Sequence, residues 1–270
     1  MCRWLAYSGP PIPLEELLFK PENSLIRQSL SASRSIVPTN GDGFGLGWYG
    51  ARGYPGLFRD TLPAWNDANL FNLAQQISSK LFFAHVRAST GTSTSRENCH
   101  PFRRDRHLFM HNGAIGGFDR IRRDIEQLIA PSLYLDRLGT TDSEAFFLLA
   151  LTNGLADDVP GALAKTIRQS LEVMESSKVK RPFRMTAAIS DGECIYAIRY
   201  SSDHAAPTLY YAVGGAITVE DHKVMFASGA ETVIVLSEPL DEQGDEWAEI
   251  PEGHILCATG GKSTVEPFVI

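Results

Sequence analysis

Apolar residues recur at helix-like steps in some stretches of this chain and in short unbroken runs in others, and the two textures fall into separate blocks. After an apolar start at residues 4–7, the proline-bounded residues 10–13 read as a loop, and residues 14–30 carry helical spacing that Pro21 interrupts. Two short helices are expected there, because proline removes a donor and crowds the preceding turn. Residues 40–49 set glycines at 41, 43, 45 and 47 among bulky apolar side chains, which predicts a closely packed strand. Leu70, Leu73, Ala74 and Ile77 mark a helix, and residues 81–86 then read as a buried strand. Residues 108–110 form a second buried strand, which His111-Asn112-Gly113 is expected to end, since Asn-Gly suits a tight turn. Further helices are predicted over residues 118–129, 142–156 and 160–178, the last with Leu163, Ile167, Leu171 and Met174 on one face. From Phe183 onward, short apolar runs at 185–189, 194–200, 208–213, 224–227, 233–236 and 255–258 predict strands.

Helices and strands that segregate in this way favour an α+β layered structure over a doubly wound parallel sheet. No repeat or long linker divides the chain, so one domain over residues 1–270 is expected, with ample material for a core. The glycines near residue 41 do not open a helix with G-x-G-x-x-G spacing, so no nucleotide site is expected. With 32 acidic and 25 basic residues the net charge is −7, which argues against a nucleic-acid surface or a basic membrane-facing helix. No apolar run approaches the roughly 20 residues of a spanning helix, and no secretory signal is visible, so a cytoplasmic location is expected. The four cysteines, Cys2, Cys99, Cys194 and Cys257, form no C-x-x-C pair. The last three are expected to be ordinary buried thiols.

Cys2 differs because removal of Met1 would give it a free α-amine. A thiol with an ordinary pKa near 8.5 beside an amine near about 7.7–8.0 is a self-contained nucleophile and base, and it needs no histidine. Four further words follow in order: residues 83–90 (FAHVRAST), 97–102 (ENCHPF), 110–113 (MHNG) and 140–144 (TTDSE). Together with the N-terminal Met-Cys, this set resembles the class II glutamine amidotransferases, the N-terminal nucleophile type. The likeness is to short stand-alone members with Met-Cys-Arg openings, among them the γ-glutamyl hydrolases of the ergothioneine pathway. It covers Cys2 to about Phe147 closely and extends more loosely to residues 237–240 and Trp247.

The resemblance implies a four-layer αββα sandwich, an architecture that periodicity alone does not name. It also implies roles. Arg87 would grip the α-carboxylate of glutamine through a two-point contact, its alternative being a structural ion pair. Asp142 would take the α-ammonium, its alternative being a helix N-cap or first-turn charge. Asn112 and Gly113 would form the oxyanion hole. His85, Ser89 and Thr90 would serve the substrate pocket. His85, His100 and His111 come from separate segments without metal-ligand spacing, so neither a metal nor a cofactor is expected. His100-Pro101-Phe102 would shape a wall of the site, and His111 would hydrogen-bond the turn beside Asn112. Arg103, Arg104 and Arg106 beside Asp105 read as a solvated loop.

The implied reaction is release of ammonia from glutamine through a γ-glutamyl thioester on Cys2. The chain shows no second active site for an ammonia acceptor. Either a partner subunit receives the ammonia, or the substrate is a γ-glutamyl conjugate of a larger amine. A non-catalytic module that retains Met1 is the alternative from another class.

Overall fold

The structure, a computed structural model, describes residues 2–31, 39–89, 91–242 and 246–270. Two antiparallel sheets dominate it. In the first, strands run in the order Ala248–Glu249, Tyr210–Gly214, Thr232–Leu236, Arg3–Pro13, Ser78–Val86, Phe44–Trp48 and Gly56–Asp60. In the second, the order is Lys262–Pro267, His254–Thr259, Cys194–Ser201, Arg184–Ser190, His107–Ala114 and Phe102–Arg104. A separate hairpin joins Ile217–Glu220 to Lys223–Phe226.

Side-chain alternation along these strands builds three apolar layers. On the outer face of the first sheet, Leu5, Tyr7, Phe82, Ala84 and Val86 pack on Leu17, Leu18, Leu25, Leu70 and Ala74 from the helices Glu15–Leu18, Leu25–Leu30 and Ala68–Gln76. Between the sheets, Trp4, Ala6, Leu81 and Phe83 meet Leu108, Met110, Ala188, Ala197 and Leu256. On the outer face of the second sheet, Phe109, Met185 and Ile189 pack on Ile121, Phe146, Leu149 and Leu163 from Phe118–Glu126, Asp142–Thr152 and Val159–Ser176. Helices, sheet, sheet and helices are therefore the four layers of an αββα sandwich. Among the described residues no helix is long and apolar enough to cross a membrane.

The block assignment holds, with local corrections. Residues 10–13 are not a loop: they complete the strand Arg3–Pro13, whose register with Ser78–Val86 shifts between Ser8 and Ile12. A bulge of this kind accommodates prolines that cannot donate to the ladder. His111, Asn112 and Gly113 do not end their strand, which runs on to Ala114 with Asn112 opposite Thr186. Arg103 and Arg104 lie in the strand Phe102–Arg104, joined to His107–Ala114 by a turn at Asp105 and Arg106. Of the three expected buried thiols only Cys99 is fully buried, Cys194 and Cys257 being half-buried on adjacent strands. The unforeseen strands are short or lie at edges, such as the largely exposed Lys262–Pro267, and carry no apolar run to announce them.

Candidate functional site

The same alternation that fills the space between the sheets also points the reactive side chains into one end of it. Cys2 continues the parity of Trp4 and Ala6, His85 and Arg87 that of Leu81 and Phe83, and Asn112 that of Leu108 and Met110. At this end the apolar layer gives way to a cavity of about 880 Å³, lined by Cys2, Arg87, Gly113 and Asp142 among others. Glycine makes room for one wall: a Cβ on Gly45 would collide with the backbone oxygen of His100, where the 99–101 segment crosses the sheet.

Arg87 is buried, and its guanidinium is held by neutral oxygens. Nη1 donates to Asp42 O at 3.1 Å, and Nη2 donates to Thr92 Oγ1 at 2.7 Å, Ser93 O at 3.2 Å and Ser89 Oγ at 3.3 Å. The structural ion pair that was its alternative is absent among the described residues, so a fixed cation faces the cavity without a carboxylate partner. Asp142 is in the first turn of its helix, but the N-cap is Thr141, whose hydroxyl accepts from Glu144 N at 3.2 Å. Asp142 Oδ2 accepts from Ile115 N at 2.8 Å and Oδ1 from Ser143 N at 2.9 Å. The two ends of the clamp are tied together by Asn98, a residue no motif singled out. Its Nδ2 donates to Ser93 O at 2.8 Å and its Oδ1 accepts from Thr140 N at 2.7 Å. It thereby links the loop that holds Arg87 to the one that precedes Asp142.

Gly113 has φ of 150°, and a Cβ there would collide with Arg184 O, so only glycine fits this point of the strand. Asn112 is buried just behind the cavity surface, and its side-chain Nδ2 has no hydrogen-bond partner among the described residues. A buried amide donor without an acceptor costs about 1–3 kcal/mol, which a ligand oxygen or water at that position would recover. Thr90 lies outside the described residues, while its neighbours Ser89 and Gly91 line the cavity.

Cys2 Sγ donates to Ala88 O at 3.6 Å. Burial pushes the thiol up from its ordinary range, against the Ala88 contact and the charges of Arg87 and Arg3, which pull it down. The thiol therefore needs a base to become a nucleophile at neutral pH. Its position is held by an ion pair that no short motif announced. Arg3 Nη1 donates to Cys2 O at 2.8 Å, and Arg3 Nε donates to the fully buried Glu238 Oε1 at 2.5 Å. Trp4 N and Ser237 Oγ, 3.1 Å apart, fasten the next residue. The only hint in the sequence was the loose likeness at residues 237–240.

The three histidines come together from separate segments. His85 and His100 stack with ring centroids 4.3 Å apart, and His85 Nε2 lies 3.3 Å from His111 O. His111 does not bond the Asn112 backbone as expected; its Nδ1 pairs with Ser143 Oγ at 2.8 Å, tying the strand to the helix that carries Asp142. Burial lowers the pKa of His85 to about 3, and it lowers those of His100 and His111 as well. At neutral pH all three are uncharged, so they wall the site and do not add to its positive charge. Among the described residues no group of three His, Cys, Asp or Glu side chains is arranged to hold a metal ion.

A family model for class II glutamine amidotransferases matches residues 22–267. The probable glutamine amidotransferase DUG3 of Saccharomyces cerevisiae is 33% identical over 305 residues, covering 100% of this chain and 85% of that protein. The γ-glutamyl-hercynylcysteine sulfoxide hydrolase of Mycolicibacterium smegmatis is 24% identical over 270 residues, covering 99% of this chain and 100% of that one. Among solved structures, a glutamine aminotransferase class-II domain protein from Silicibacter pomeroyi superimposes with a TM-score of 0.73 at 37% identity, each chain covered in full. The glutamine PRPP amidotransferase of B. subtilis gives 0.65 at 13% identity over 99% of this chain and 49% of that one, a likeness of fold alone.

Proposed function

Because this chain belongs to the class II glutamine amidotransferases, enzymes acting on C–N bonds, we propose that it hydrolyses a γ-glutamyl amide with Cys2 as nucleophile once Met1 is removed. One observation carries the reading: Cys2, the uncompensated cation of Arg87, the anion of Asp142 and the Gly113 turn of the strand share one cavity. A zwitterionic head group needs one fixed positive and one fixed negative charge, and Arg87 and Asp142 supply them.

The free α-amine of Cys2 accepts the thiol proton, and the sulfur attacks the γ-carboxamide carbon. The carbonyl electron pair moves onto oxygen, where the Asn112 side-chain amide and the Gly113 N–H receive it. The intermediate collapses to a γ-glutamyl thioester as the ammonium of Cys2 passes its proton to the departing nitrogen, releasing ammonia or an amine. The amine then takes a proton from water, which attacks the thioester and frees glutamate and the thiol. The histidines, being neutral, hold no proton for these steps.

For free glutamine, ammonia is the leaving group and a partner subunit would consume it. A cavity of about 880 Å³ exceeds what an amino acid fills and lies within the range of sites for larger ligands. That favours a second reading, in which the leaving group is a larger amine, in keeping with the name of the mycobacterial relative. The test is a screen of protein whose intact mass shows loss of methionine against glutamine and γ-glutamyl amides, with ammonia and amine release read separately. Turnover that disappears in Cys2→Ala, with unfolding unchanged, is expected. Turnover retained in Cys2→Ala, or found in protein that keeps Met1, would remove the terminal cysteine from the mechanism and leave a binding module as the better account.

A further inference from the structure

The head-group residues occupy only part of the cavity. Residues 87–93 and 140–143 form one side, while the rest of the lining comes from residues 113–122, from 181–184 and from Pro207. These latter segments are packed backbone to backbone: Ala114 pairs with Arg184, and a Cβ on Gly116 would collide with Arg181 O. Their side chains are unlike the chain as a whole. The protein carries a net charge of −7, yet residues 113–126 and 178–184 hold seven cations against three carboxylates.

Two of the three guanidiniums that line the cavity here are already paired. Arg122 Nε lies 2.7 Å from Glu126 Oε1, and Arg184 Nη2 lies 2.6 Å from Asp203 Oδ2. Arg181 is exposed and has no carboxylate partner among the described residues, and Lys178, Lys180 and Arg120 join it along the adjoining groove. An excess of one sign in a partly enclosed cleft concentrates ligands of the opposite sign. Neither glutamine, whose charges are met by Arg87 and Asp142, nor ammonia has a use for it.

We infer that the amine half of the substrate carries a carboxylate, received by the Arg181 guanidinium at the far side of the cavity. The substrate class is then a γ-glutamyl amide of an amino acid or peptide, and the inference rests on the reading of the site as one for γ-glutamyl amides. A guanidinium binds a carboxylate through parallel N–H donors, and the surrounding lysines strengthen the field without fixing the geometry.

The probes are γ-glutamylglycine and its neutral twin γ-glutamylglycinamide, which differ only at the carboxylate. Calorimetric titration of the processed Cys2→Ala protein reads affinity without turnover, and kcat/KM of the wild type reads the same preference in catalysis. A preference of about tenfold for the carboxylate is expected, as for a charge-assisted contact, shrinking as salt is raised. Arg181→Gln is expected to bring the ratio near one. Equal affinity for the two probes, or a preference that survives Arg181→Gln, would overturn the inference. If wild type turns over neither probe while Cys2→Ala still discriminates between them, the catalytic reading fails and the anionic subsite stands. Turnover of both probes without discrimination removes the anionic subsite and leaves the catalytic reading intact.

Discussion

Acidification tests the buried histidine cluster directly, because the cluster forms the wall of the site and is folded in its neutral state. In the unfolded chain His85 titrates near its ordinary value of 6.5, whereas in the folded protein burial lowers it to about 3. Between those values the unfolded state binds more protons, so stability falls as pH falls from about 6.5 toward 3, and the contribution is fully present only above 6.5. At about pH 5 the linkage integral for such a shift is about 2 kcal/mol for His85 alone. His100 and His111 shift the same way for the same reason. Together they reach the size of a typical folding free energy of about 5–15 kcal/mol. Carboxylates held below their usual range, such as Glu126, where Arg122 and Arg137 outweigh burial, destabilise only at lower pH and do not blur this window. The assay is urea unfolding followed by tryptophan fluorescence at steps from about pH 7 to pH 5, with glutaminase activity on the same samples. The midpoint is expected to drop steeply, with a slope of up to about three protons, and His85→Gln should lower that slope by about one. A midpoint that stays level across the range, or the same slope in His85→Gln, would refute the argument.

Two substitutions separate the parts of the machinery. Asn112→Ala should lower kcat about 10²–10³-fold with KM little changed, if its amide meets the developing oxyanion; steady-state kinetics showing a change confined to KM would argue for ground-state binding instead. Glu238→Gln leaves the Arg3 charge buried without its carboxylate, and urea unfolding should show a loss of about 3–5 kcal/mol. A loss below about 1 kcal/mol would mean that Arg3 finds another acceptor and that Cys2 is held by something else.

What was legible in the chain was local. Period-two and period-3.6 patterns located the elements that bury a face, so the strand at 81–86 and the helices at 142 and 160 were found close to their true limits. The αββα layering came from the family resemblance, because pairing partners are set by long-range contacts that no periodicity records. Asn112-Gly113 misled in an instructive way. As a dipeptide it has turn chemistry, but within the sheet the mirror-side φ of Gly113 serves the close approach of Arg184 and not a change of direction. Asp142 was similarly displaced by one residue: the threonine before it caps the helix, which leaves the carboxylate to face the cavity.

The parts of the site that stayed hidden are those whose partners lie far along the chain. Arg3 and Glu238 are 235 residues apart in sequence yet form a buried pair beside the nucleophile. A first residue ordinarily frays, since few contacts hold it. A nucleophile placed there needs its carbonyl and the next residue fixed from outside, and here Arg3, Glu238 and Ser237 do both. The strand Thr232–Leu236 lies beside Arg3–Pro13 in the first sheet, so the pairing that completes the sheet also delivers Ser237 and Glu238 to the terminus. The C-terminal part of the chain is thus built into the site at its opposite end, and the sheet cannot be shortened there without releasing the cysteine.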